Sequence, residues 1–357
     1  MPAPSRKQPL PATTLALVVA AVMLVLYGID KFLAGQEASE MEQEARNHYV
    51  EGQRLLHAGN AHQAIVALAR ARTLERSNRE YELALGTAQL EDHQLSAAAD
   101  TLADVLDEDS NNGRANLLMA RVEAAENKFK DADSYYHRAI YGDWPAGSTE
   151  PDSVRLELTS MLATRGDSDE LLPELLLLQN STVRDVATLK QIAALFLQAD
   201  SASHAAETYQ EIIQATPDDV EAHLGLARSE VLTGNYRAAE NAVMKMARQH
   251  PYDATIQSQM RQVVRLASLD PTSRRLSTAE KNRRSMEIVE MVEDELTACG
   301  QPEPPSKPEA SSQGPLTNEI AEALLDRAAT LWEQRMKVCK QPPAPDDPLP
   351  LLMKKLQ

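Results

Sequence analysis

Aromatic side chains are scarce in this chain. Its 357 residues include three Phe and two Trp, and aromatics make up 4% of the whole. Cysteine occurs twice. There is no HExxH, no CxxC, no Gly-rich phosphate loop and no nucleophile elbow. The usual signatures of zinc hydrolysis, thiol redox chemistry, nucleotide binding and serine hydrolysis are therefore missing. The eight His are scattered, and His57 and His62 fall on different helix faces. These residues predict no enzyme, no cofactor and no metal, and no small-molecule substrate is evident. Positive charge is short as well: 36 Lys and Arg stand against 53 Asp and Glu, a net charge of −17. Such a chain lacks the basic footprint that phosphates require, which excludes nucleic acid as a partner.

What the chain does have is Ala and Leu, set out with a period of 34. Gly52, Gly86 and Ala120 keep that step, as do Ala64, Ala98 and Ala132. The bulky Leu68, Leu102 and Tyr136 keep it too, followed by Ala71, Val105 and Ala139. A fixed period of this size predicts stacked helical hairpins rather than a closed catalytic fold. The first unit is Ala45 to Asn78, the second Arg79 to Asn112, and the third begins at Gly113. After Trp144 the phase slips by five residues, and it resumes at Asp152, Val186 and Val220. Gly166 and Gly234 sit at turns, and Pro217 and Pro251 close the last two units. The expectation is six hairpins with a cap helix over 254–268, a solenoid spanning 45–268.

These residues resemble the tetratricopeptide repeat family. The match is best over 203–251, with small contacts at Ala205, Ala227 and Ala239, aromatics at Tyr209 and Tyr236, and both closing prolines. In the fourth repeat Thr159 and Leu171 replace small residues. The resemblance implies an all-α, right-handed α-solenoid that binds protein or peptide partners. In this family the first helix of each hairpin lines a concave groove. Here that side would show Arg46, Tyr49, Gln53, Arg114, Leu117, Arg121, Lys190, Leu224 and Arg228. Basic groove residues in an acidic protein suit a carboxylate or an acidic segment; the alternative is that they balance neighbouring Glu side chains. The family's carboxylate clamp is not reproduced, because Tyr49 and Ala84 stand where Lys and Asn are needed. The loop after Tyr141 carries Trp144, which is either a partner anchor or, as the favoured reading, a plug over an irregular junction.

The N-terminus carries an uncharged run, Ala12–Ile29. Eighteen residues of helix span roughly 27 Å, close to the hydrocarbon thickness of a bilayer. Arg6 and Lys7 precede the run, and Glu37, Glu40, Glu42 and Glu44 follow. The positive-inside rule predicts a cytoplasmic tail over 1–11, a transmembrane signal-anchor over 12–31 and an external solenoid. A cleaved signal peptide is the competing reading; Leu33-Ala34-Gly35 makes a poor cleavage site. A bacterial inner membrane with the solenoid in the periplasm is the expected setting.

Beyond the repeats, Ser277-Thr278-Ala279-Glu280 is a capping box, which predicts a helix over 276–300. A Pro/Ser linker over 301–316 precedes an amphipathic helix over 317–340, and 341–357 reads as a disordered tail. Arg274, Arg275, Lys281, Arg283 and Arg284 form a basic cluster. Positive charge there opposes the helix dipole, so it is either a solvated face or offset from outside by lipid or an acidic partner. Cys299 and Cys339 lie near the ends of the two helices, and an oxidising compartment predicts a disulfide between them. The bond requires the helices to run parallel or crossed; the alternative is two buried thiols. The sequence thus predicts a membrane-tethered scaffold that holds client polypeptides or assembles an envelope complex, similar to anchored repeat proteins of secretion or cytochrome c maturation. The alternative is a permanent structural subunit of a membrane complex.

Overall fold

The computed structural model describes residues 12–179, 185–299, 317–344 and 347–356, with side chains from residue 20 onward. The expected cytoplasmic tail and Pro/Ser linker lie outside the described residues. The chain divides into two compact units, Met1–Arg155 and Leu156–Gln357.

The first unit holds α1 (Ala12–His57), α2 (Ala61–Leu74), α3 (Arg79–Glu91), α4 (Leu95–Glu108), α5 (Gly113–Ala125), α6 (Phe129–Ile140) and the start of α7 (Glu150–Arg165). The second continues α7 and adds α8 (Ser168–Gln179), α9 (Val186–Gln198), α10 (Ala202–Ala215), α11 (Val220–Leu232), α12 (Tyr236–Gln249) and α13 (Ala254–Leu269). Then follow α14 (Thr278–Ala298), α15 (Asn318–Val338) and α16 (Leu349–Leu356). The described residues form sixteen helices and no strand; one isolated bridge joins Asn112 and Asp143.

The period of 34 has three physical sources. Small residues let paired helices approach: Ala64, Ala98 and Ala132 have no exposed surface. A Cβ on Gly86 would come within 2.9 Å of the Leu102 side chain, which would have to give way for α3 and α4 to pack as closely. Caps recur next. Asn78, Asn112, Asp185, Asp219 and Asp253 each accept a backbone N–H in the first turn of the helix they open, an interaction worth about 1 kcal/mol per helix. Finally, each hairpin turn passes through the left-handed region, at Gly59, His93 and Asn127 and again at Gly166, Asp200 and Gly234.

Three sequence expectations change. The expected anchor and the first repeat helix are one helix, α1, because residues 30–44 contain helix formers and no proline. The expected transmembrane helix finds no support among the described residues, where no helix is long and apolar enough to cross a membrane. The side chains of 12–19, which open the expected span, lie outside those residues. Lastly, the tail is not wholly disordered. Leu349, Leu352 and Met353 fall on one face of α16 and are buried with Leu266, Val292, Leu331 and Trp332. Eight residues are too few to hold a helix alone; this burial holds it.

Two members of the basic cluster, Arg283 and Arg284, are engaged within the chain. Arg283 and Arg284 both bind Glu280, and Arg284 Nη1 donates to the carbonyls of Ala267 and Asp270 at the end of α13. Glu280 is held down at about 2 by Arg283 first and Arg284 second. The acidic end of α14 is met by Arg327 and Arg335 of α15, at 2.6 Å each. For Arg283, Arg284 and the acidic end of α14 the compensation comes from within the chain.

Candidate partner-binding site

The predicted groove residues are spread over both units, and most of the cations are already engaged. In the first unit Arg46 binds Glu42 at 3.3 Å and Arg114 binds Glu80 at 3.2 Å. The Tyr49 and Tyr81 rings lie with centroids 4.9 Å apart and planes tilted by 33°, and Gln53, about one helical turn after Tyr49, is half-buried. In the second unit Lys190 binds Asp219 and Glu221 at 2.8 and 2.9 Å, and Leu224 packs against the core below α11. Balance by neighbouring carboxylates, the plainer of the two readings of these charges, describes Arg46, Arg114 and Lys190.

Each unit nonetheless has a cavity on the side of its first helices. In the first unit Arg114, Leu117 and Arg121 of α5 meet Leu83 and Thr87 of α3 and Trp144 around about 550 Å³. Leu117 is buried and forms the floor. Trp144 reaches this wall because its loop folds back over α5. Gly113 N donates to Asp143 O at 3.2 Å, and Asp143 N donates to Asn111 O at 2.7 Å. The indole covers Gly113, and Trp144 Nε1 donates to Ala139 O at 2.7 Å. Trp144 therefore plugs the junction with one face and walls the cavity with the rest of its half-exposed ring.

In the second unit a cavity of about 650 Å³ lies between α11 and α13. Arg228 and Leu232 line one side, Ser258, Gln262 and Val263 the other, and Leu351 of α16 closes an end. Arg228 forms no ion pair among the described residues, so its guanidinium is available to a carboxylate. It shares its neighbourhood with the phenol of Tyr209, which burial pushes above its ordinary range; Glu221 adds to that rise, while Arg228 and Lys190 oppose it. Gln259 Nε2 donates to Leu224 O at 3.0 Å and fixes the two helices. The lining offers one cation, four neutral polar side chains and an apolar end.

The periodicity of the sequence pointed to Arg228 but not to Leu351, since the tail showed no helical signal long enough to read. Cys299 and Cys339 are bonded, with Cα atoms 5.5 Å apart. Asn282 lies by Thr317, Glu293 by Arg327 and Glu295 by Arg335, so α14 and α15 run parallel.

Comparison with known proteins agrees with this architecture. A tetratricopeptide repeat family model matches residues 196–262, the segment from the end of α9 to α13. No curated protein matches the chain. Among solved structures, one reported for the functional characterization of Pseudomonas aeruginosa pilF is 16% identical, covering 61% of this chain and 97% of its own, with a TM-score of 0.44. The C-terminal part of a TPR repeat-containing protein from Cytophaga hutchinsonii is 10% identical, covering 82% and 100%, with a TM-score of 0.46. YrrB, described as a TPR protein with an unusual peptide-binding site, is 14% identical, covering 53% and 95%, with a TM-score of 0.42. Likenesses this distant say nothing of what this chain binds. With its small-residue period and its hairpins, the matched segment over residues 196–262 is a tetratricopeptide repeat segment.

Proposed function

We propose that this protein is a membrane-tethered scaffold that holds extended segments of partner polypeptides against the first helices of its repeats. The observation that carries the reading is the cavity between α11 and α13, where Arg228 stands unpaired beside neutral donors and an apolar wall. An extended segment with a carboxylate a few residues from an aliphatic side chain matches that arrangement. The tether is the run Ala12–Ile29. From Val22 to Leu33 its large side chains, Leu24, Leu26 and Phe32 among them, are more than half exposed among the described residues. A helix apolar all round is suited to lipid rather than water. With the charge bias of its flanks, this favours a bacterial inner membrane and a periplasmic solenoid.

The test is a panel of extended peptides that vary in acidic and apolar positions, titrated against the detergent-solubilised protein and its R228E variant. Acidic-apolar peptides are expected to bind, and charge reversal to weaken them by on the order of 1–3 kcal/mol. Equal binding by both proteins would remove the cavity from the proposal. A single stoichiometric partner that copurifies through high salt would favour a permanent subunit instead.

A further inference from the structure

Helix α16 closes one end of the Arg228 cavity through Leu351, and the Asp347 carboxyl at its start meets the Glu295 carboxyl of α14. Asp347 Oδ1 accepts from Leu349 N at 3.0 Å and so opens the helix. Asp347 Oδ2 is buried and meets no donor among the described residues, because the group opposite is the Glu295 carboxyl of α14. Glu295 is gripped from α15 by Arg335, Nε to Oε2 at 2.6 Å, and that arginine is 5% exposed. From α13 Arg265 adds positive charge near Asp347. At the other end of α16, Lys355 binds Asp270 at 2.7 Å and lies over the Tyr236 ring, while Tyr236 Oη donates to Leu351 O at 2.9 Å.

One buried guanidinium cannot satisfy two ionised carboxylates that face each other. A proton on Asp347 resolves the conflict, turning an orphaned acceptor into a donor to Glu295. Burial first, and then the bond to Glu295, pushes the Asp347 carboxyl up to about 6. Glu295 is held below its ordinary range despite its burial, by its bonds to Asp347 and Arg335.

We propose that α16 is a proton-controlled latch on the Arg228 cavity, docked while Asp347 shares a proton with Glu295 and released when that proton leaves. The consequence for partner binding rests on the reading of the cavity given above; the latch itself does not. The sign follows from the raised value. Between 3.8 and about 6 the docked state holds a proton that the undocked chain gives up. Docking is therefore complete below that window and weakens as pH rises through it. Undocked, an eight-residue helix melts. Leu351 then leaves the cavity end, which opens toward Tyr236 and Asp270 to accept a longer segment.

Hydrogen exchange of the full chain in detergent at pH 5 and pH 7.5, corrected for intrinsic rates, tests the latch. A shift from 3.8 to about 6 is worth at most roughly a hundredfold. At pH 5 the undocked carboxyl is already mostly ionised, so the contrast between the two pH values is roughly tenfold at most, and solvent around a partly buried carboxyl reduces it, so the amides of 351–356 should exchange about threefold faster at the higher pH. Asp347→Asn keeps the capping oxygen and supplies an amide donor to Glu295, and Glu295→Gln supplies one to Asp347. Both variants should show α16 equally protected at the two pH values, with α14 and α15 unchanged in Asp347→Asn, which leaves the Glu295–Arg335 pair intact. Wild-type protection that ignores pH, or an Asp347→Asn protein that keeps the wild-type dependence, would overturn the latch. Peptide titration at the two pH values then judges the cavity separately: a latch that moves while peptide binding stays flat counts against the peptide site alone.

Discussion

The indole of Trp144 occupies the space that a side chain at Gly113 would need, and its Nε1–H is spent on the carbonyl of Ala139. This contact converts a break in the period into a fixed joint, tying the end of α6 to the start of α5. A methyl group at residue 113 would meet the five-membered ring itself, which has no flexible end to move aside. Gly113→Ala should destabilise the first unit by about 1–3 kcal/mol. Trp144→Ala should cost about 2–3 kcal/mol, less than a fully buried Trp because the ring is half-exposed. The double variant should cost less than the sum, since each change removes the other's reason. Denaturant melts of the four proteins check this, and strict additivity would show that the ring and the glycine are not coupled.

The left-handed turn residues make a second prediction. Gly166 and Gly234 take positive φ without strain, whereas His93 holds φ 59° with a Cβ. His93→Gly should therefore stabilise the first unit by about 0.5–1 kcal/mol, the relief of strain exceeding the added freedom of the unfolded chain. Gly166→Ala should destabilise the second unit by about 1 kcal/mol. A shift of the urea midpoint in the opposite direction for either variant would mean that contacts of the side chain, not backbone strain, set the choice at that turn.

How much of this was legible follows from the range of each interaction. Gly86 and Leu102 are sixteen residues apart and recur every 34, so steric fit between them leaves a pattern in the chain. The caps at Asn112 and Asp219 recur in the same way, though polar residues at loop positions are easily taken for solvent exposure. Arg335 and Glu295, by contrast, are 40 residues apart and occur once. Nothing in either helix announces the partner. Helix α16 was illegible for another reason. Its eight residues carry too little periodicity to outweigh the prolines before it, and its stability resides in Trp332, Leu266 and Val292. The cavity inherits both problems: Arg228 could be placed from the repeat, whereas Leu351 could not.

The bond between Cys299 and Cys339 spans 40 residues of chain and joins helices that already run parallel. In the loop-entropy account a bridge of that span stabilises by roughly 3–4 kcal/mol. Cys299→Ser should thus lower the melting of α14 and α15 by that amount, while the repeats from α9 to α12 keep theirs. The same loss should follow treatment of the wild type with a reductant, because Cys299 is exposed and can be reached. Non-reducing peptide mapping settles the bond itself. A protein that yields two free thiols from an oxidising compartment, or melts identically with and without reductant, would leave the parallel pair to be held by its ion pairs and core alone.

The proposed tether yields the last prediction. Between residues 20 and 44 every side chain of α1 is exposed, and the first buried residue of the repeat core is Ala45, with no exposed surface. No described side chain between residues 20 and 40 is buried, so a protein lacking residues 1–40 should keep its helical signal and its melting within about 0.5 kcal/mol of the full chain. What should change is partition. The full chain should sediment with membranes and require detergent, because the apolar residues from Val22 to Leu33 would otherwise face water. The truncated protein should remain in the aqueous fraction. A reporter that is active only after export, fused after Gln357, should be active in the full chain if the charge bias around Ala12–Ile29 sets the orientation as proposed. An inactive reporter would reverse the orientation. A truncated protein that aggregates or melts early would show instead that the apolar stretch of α1 packs on the repeats, and lipid would no longer be needed to explain its exposure.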